Sequence, residues 1–134
     1  MKKDINPPIV TDIAIAVVQE QNELAEIVWN VYLINFKKQK IEGVLVTSQG
    51  YGVYNDAEVK TSALRHFLDV VEAESFQKFE PVYEKLFGLT NEYWVSFFLN
   101  KVMYDKKYIF LPETIMEENM VMIPIINKKG VIIK

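Results

Sequence analysis

Residues 26–52, EIVWNVYLINFKKQKIEGVLVTSQGYG, are the stretch on which the fold turns. Trp29, Val31 and Leu33 alternate with Asn30, Tyr32 and Ile34, the period-two pattern of a strand rich in aromatic and β-branched side chains. Lys37-Lys38-Gln39-Lys40 reads as a turn whose charge also guards a strand end against edge pairing. Ile41 to Ser48 reads as the return strand of a hairpin, ended by Gly50 and Gly52 around Tyr51. Both faces of the first strand are apolar, so Tyr32, Ile34 and Phe36 need a cover as much as Trp29 and Val31 do.

Upstream, Asp12 to Glu20 is apolar on both faces and predicts a buried strand running into a polar turn at Gln21-Asn22-Glu23. Residues 1–8, with Pro7-Pro8, read as a mobile N-terminal tail on a single domain spanning 1–134. Downstream, Tyr93 to Leu99 and Val102 to Leu111 form a second strand pair about a tight turn at Asn100-Lys101, facing the first. The charges Asp105-Lys106-Lys107 place a bulge or an exposed edge in its return strand. Val121 to Ile126 is a further strand, confined by Pro124 to an edge or a bulge, and Val131 to Ile133 a short last one.

Residues 58–87 admit two readings. Leu64, Leu68, Val71, Ser75, Phe79, Val82 and Leu86 fall at three- and four-residue steps, a helical stripe. Against one helix stand Pro81, the Val70-Val71 pair and the polar run Glu72 to Ser75, which suit two strands, about 61–69 and 75–83, joined by a turn. By pattern alone the helix is narrowly favoured.

The 134 residues are half apolar and a quarter charged, enough to bury a core without staples. The absence of cysteine removes disulfides, thiolate metal sites and cysteine nucleophiles, and it suits a reducing cytoplasm. Pro7-Pro8 and Asp12 interrupt the first apolar run, against a secretory leader, and no apolar run approaches the ~20 residues of a membrane span. A net charge of −3 with no basic segment disfavours nucleic acid as the partner.

The single arginine and single histidine adjoin as Arg65-His66, and neighbours in a strand point to opposite faces. A hydrolytic use of His66 needs a carboxylate to orient it and a hydroxyl to activate. Asp69 is near in sequence, and Ser48, Thr61 and Ser96 are the hydroxyls, but no spacing ties them together. One histidine and no cysteine exclude the usual zinc sets, no calcium-loop spacing is present, and Glu117-Glu118 reads as a solvated loop. Ser48 to Gly52 lacks both the lysine of a phosphate loop and the three glycines of a dinucleotide fingerprint, so no cofactor is expected.

Across WNVYLIN (29–35), EGVLVTSQGYG (42–52), TSALRHFLDVV (61–71), NEYWVSFFLN (91–100) and YDKKYIFLPE (104–113), the chain resembles a family of small uncharacterised bacterial proteins. Some members carry an aminoacyl-tRNA synthetase α-subunit label. The chain is too short for a synthetase core and, with one arginine, has no adenylate-binding arginine motif. The resemblance implies two strands about a turn over 61–83.

The fold expected is mainly β, an antiparallel sandwich of about six to eight strands, with an immunoglobulin-like arrangement as one form of it. The alternative is α+β, one helix near 60–80 on an antiparallel sheet. The function expected first is a non-catalytic cytoplasmic module working through protein contacts, as a homodimer or larger homo-oligomer. A small-molecule or carbohydrate-binding β-domain using Tyr51, Tyr54, Trp94 and Tyr104 comes second, and a hydrolase using His66 third. Arg65, His66, Tyr51 and Trp94 are the candidate ligand-binding residues; no metal, nucleic-acid or membrane partner is expected.

Overall fold

Ten strands, all paired antiparallel, make up two facing sheets in the computed structural model, which describes residues 8–134. They are β1 (Ile13–Gln21), β2 (Ile27–Asn35), β3 (Ile41–Tyr54), β4 (Ala57–Lys60), β5 (Leu64–Val71), β6 (Ser75–Val82), β7 (Thr90–Leu99), β8 (Val102–Phe110), β9 (Val121–Ile123) and β10 (Lys128–Ile133). The first sheet has the order β6-β2-β1-β10-β9. In the second, β3 is flanked by β7 and then β8 on one side, and by both β4 and β5 on the other. Among the described residues the only helical pieces are 3-10 turns at Glu84–Leu86 and Glu117–Asn119. The N-terminal tail expected over 1–8 lies outside the described residues but for its last position.

The mainly β sandwich is thus the architecture, and the helix over 60–80 is not formed: β5 and β6 occupy that stretch. The count reaches ten because β5 and β6 stand where a helix was favoured and because β4, only four residues long, gave no separate pattern. β1, β2 and β6 sit in one sheet and β3, β7 and β8 in the other. β9 and β10 extend the first sheet beyond β1.

The hairpin expected over residues 26–52 is not one. β2 pairs with β1 and β6, while β3 pairs with β4, β5 and β7, so the lysine-rich turn carries the chain from one sheet to the other. Asn35, fully buried, explains the crossing. Its Nδ2 donates to the carbonyls of Gln39 (2.9 Å), Glu72 (3.1 Å) and Val71 (3.3 Å), and its Oδ1 accepts from the Lys37 amide. One amide thereby satisfies backbone groups in two arches, 36–40 and 72–74, that a hairpin ladder would otherwise have paired. The arches also bond each other, the Glu74 amide donating to the Lys37 carbonyl at 3.0 Å. The pair 93–111, by contrast, is a hairpin, and Asn100 and Lys101 both take positive φ, as a primed two-residue turn demands.

Β3 does not stop at its glycines but runs through them to Tyr54. Gly52 is needed for its φ of +149°, whereas Gly50 is needed for space, since a Cβ there would meet Asn91 Oδ1 at 3.2 Å.

Alternation sorts the core. Ile13, Ile15, Val17, Val31 and Leu33 of the first sheet meet Val44, Val46, Tyr93, Val95, Phe97, Tyr108 and Phe110 of the second. Each such side chain taken wholly out of water stabilises the fold by about 1.5–3 kcal/mol. The Tyr108 hydroxyl crosses between sheets to donate to the Ile13 carbonyl at 2.6 Å. The second face of the first sheet, with Ala14, Ala16, Val18, Tyr32 and Ile34, is covered within the chain by Phe36, Ile123, Ile125 and Ile126. No second copy is required there. The open face belongs to the other sheet.

Three of the four sheet edges are poorly suited to pairing. β6 carries Pro81 and a register shift, β9 is three residues long, and β8 exposes Asp105 and Lys107.

Candidate functional site

Β5 and β6 are consecutive but belong to different sheets, and their separation opens a cleft between the sheet edges. Glu80 enters it because of a bulge. Val31 pairs with Glu80 but Tyr32 with Lys78, so Phe79 is an extra residue and both Phe79 and Glu80 face the interior. A regular strand would have aimed Glu80 out, beside Lys78.

Glu80, only 10% exposed at its side chain, gathers two partners on one oxygen. Oε1 accepts from the Ser48 hydroxyl at 2.7 Å and lies 2.7 Å from His66 Nε2. The His66 ring also packs against Phe79, centroids 5.3 Å apart, and Phe79 packs edge-on against Tyr93 at 6.0 Å. Ser48, His66 and Glu80 are thus brought together, two of them singled out by the sequence and the third not. Their order does not suit a hydrolytic relay. In such a relay the histidine stands between hydroxyl and carboxylate; here the carboxylate stands between hydroxyl and histidine, so His66 is not the group that holds the serine proton. Of the other residues weighed with His66, Ser96 pairs with Leu45 in a row of the outward face, Asp69 is exposed at the β5 irregularity opposite Val44, and the Thr61 hydroxyl accepts from the Gly50 amide at 2.8 Å.

Arg65 points away from His66, onto the outer face of the second sheet. There it shares a row with Thr47, Trp94 and Lys107, whose ammonium lies 5.1 Å from the Trp94 ring. Tyr51 lies on the same face of β3, four residues from Thr47, and pairs with Lys60 and Thr90. So Arg65, Trp94 and Tyr51 face one way and His66 the other; the four do not form one site. Phe67 (68% exposed), Trp94 (49%), Phe98 (45%), Met103 (53%) and Ile109 (38%) make this outer face apolar and open.

A second polar cluster lies on the far side of the first sheet and gave no sequence signal. Glu20, 7% exposed at its side chain, accepts from Asn30 Nδ2 (2.7 Å) and the Tyr32 hydroxyl (2.9 Å) and pairs with Lys128 and, at 3.4 Å, Lys78. Burial alone would raise its pKa, but these donors and charges bring it down to about 2. Burial, and then the bond to Glu20, hold the Tyr32 hydroxyl well above its ordinary value. All of Glu20's partners are internal, which makes the cluster structural.

No protein-family model, curated protein or solved structure matches this chain. Among the described residues no three acidic or histidine side chains converge on a metal position, and no helix is long and apolar enough to cross a membrane.

Proposed function

We propose that the protein is a non-catalytic cytoplasmic module that works through protein contacts, pairing with a second copy of itself through the outer face of the β5-β3-β7-β8 sheet. The observation that carries this reading is the set of exposed apolar side chains Phe67, Trp94, Phe98 and Met103 on one sheet face, uncovered among the described residues. Patches of this kind mark interaction surfaces in water-soluble chains.

Charge favours a second copy as the occupant. Lys107 and Asp105 are two apart on β8, in adjacent rows that also hold Trp94 and Ser96. A two-fold axis running between those rows sets Lys107 of each copy over Asp105 of the other and Trp94 over Ser96, an isologous arrangement that is self-complementary. The lack of cysteine suits the reducing compartment.

Light scattering over a concentration series tests it. A dimer that Trp94→Asp converts to a monomer of unchanged circular dichroism is expected. A wild-type chain that stays monomeric at about 0.5 mM, where even a weak dimer of sub-millimolar Kd would form, overturns it.

A further inference from the structure

The cleft beside Glu80 has a volume of about 300 Å³ and lies inside the sheet edges, away from the outer face. Its walls are mostly apolar, with Leu64, Pro81, Val82 and Leu86 among them; Ser48, Gln49, Thr61, Ser62 and Tyr83 also line it, and three further polar side chains, Glu80, Asn91 and Tyr93, reach it from buried or half-buried positions.

Each of the three has one group already engaged or buried and one left over. Glu80 Oε1 serves Ser48 and His66, and Oε2 has no partner among the described residues. Asn91 Nδ2 donates to the carbonyls of Leu86 (2.9 Å) and Leu89 (3.2 Å), which fixes the amide so that Oδ1 points toward Gly50, also on the cleft wall. The Tyr93 ring is held by Phe79 and Phe110, and its hydroxyl bonds to nothing among the described residues. None of these three atoms is sealed from solvent, although Asn91 is 5% and Tyr93 2% exposed overall. The opening they share is the cleft. Glu80 also raises the Tyr93 hydroxyl's pKa through its charge, second to burial, so the two groups sense each other.

We propose that this cleft binds a small primary amine in its protonated form, with the ammonium group among Glu80 Oε2, Asn91 Oδ1 and the Tyr93 hydroxyl. The chemistry matches in number and sign. An ammonium group carries three donors and no acceptor, and these three unfilled oxygens, one of them on a carboxylate, can each accept from it. No lysine, arginine or histidine lines the cleft, so an anion finds no charged donor there. The apolar wall takes the carbon body. At roughly 30 Å³ per water-sized group, the volume holds a ligand of about ten heavy atoms or fewer. The site does not depend on whether the chain dimerises.

Thermal denaturation of the full chain with butylamine, benzylamine and their neutral isosteres 1-butanol and benzyl alcohol tests it. The expected result is a saturable rise of about 5 °C with an amine at ten times its Kd, and no saturable rise with the alcohols. Glu80→Gln keeps an oxygen for Ser48 and His66, so it should fold while binding the amines at least tenfold more weakly. A wild-type chain stabilised equally by alcohols and amines, or by neither at 50 mM, overturns the proposal. So does a folded Glu80→Gln that binds the amines unchanged. Nα-acetyl-lysine methylamide bound no better than butylamine keeps the ligand a free small amine; tenfold tighter binding would assign the cleft to a lysine side chain of another protein and overturn it.

Discussion

Lys78 and Glu80 are two apart on one strand and point to opposite sides of it: Lys78 to the Glu20 cluster, Glu80 to the cleft. Strand residues two apart normally share a face, so the single extra residue of the β6 bulge is what separates the two charges. The carboxylate then ties Ser48 and His66 from the other sheet. His66→Ala is expected to lower stability by about 1–2 kcal/mol and Glu80→Ala by about 2 kcal/mol. The double variant should fall short of the sum, because both remove one bond. Urea unfolding measures all three. Unchanged stability in His66→Ala would show that its bond to Glu80 holds nothing together.

Glu20 predicts an acid-sensitive fold. Its pKa is depressed from 4.5 to about 2, so the unfolded chain binds the proton more readily across that window. The stability contributed is complete above pH 4.5 and is lost as pH falls toward 2, about 3 kcal/mol in all. Glu20→Gln should flatten that part of the profile in pH-dependent urea titrations. A wild-type profile already flat from pH 5 to 2.5 would show the cluster contributes nothing.

The bond from Tyr108 to the Ile13 carbonyl is buried at both ends. Tyr108→Phe leaves that carbonyl unpaired between the sheets and is expected to cost about 1–3 kcal/mol. Chemical denaturation gives the value, and a loss under about 0.5 kcal/mol would mean that water replaces the hydroxyl.

At Gly130 space decides the residue. An added Cβ would stand 2.5 Å from the Val17 carbonyl oxygen and 3.0 Å from Val18 Cα, both backbone atoms of the paired strand. Gly130→Ala should force β10 away from β1 and destabilise by at least about 2 kcal/mol. Hydrogen exchange should rise first at Val131 and Val17; protection equal to wild type there would contradict the clash.

The sandwich was legible because β1 and β2 are β-branched and apolar on both faces, while β7 alternates buried and outward side chains. Residues 64–82 were not, and the bulges are the reason. Leu68 and Val71 both face the core although three apart, because Asp69 takes a φ of +62° between them. Phe79 and Val82 do the same across the β6 bulge. Two odd steps in two strands imitate the three- and four-residue spacing of a helix. Glu80 was hidden by the same device, since its inward aim exists only once β6 pairs with β2. The arch at 36–40 was misread because lysines suit a hairpin turn equally well; only Asn35, through contacts 36 and 37 residues away, tells the two apart.

With Pro81 on one rim of the first sheet, a three-residue strand on the other and charges along β8, further strands cannot readily be added at these three edges. Growth by strand addition, the route to filaments and amyloid, is therefore discouraged while a flat apolar face remains open. An isologous contact on such a face uses itself up once made. On the proposed self-association, assembly would stop at two copies.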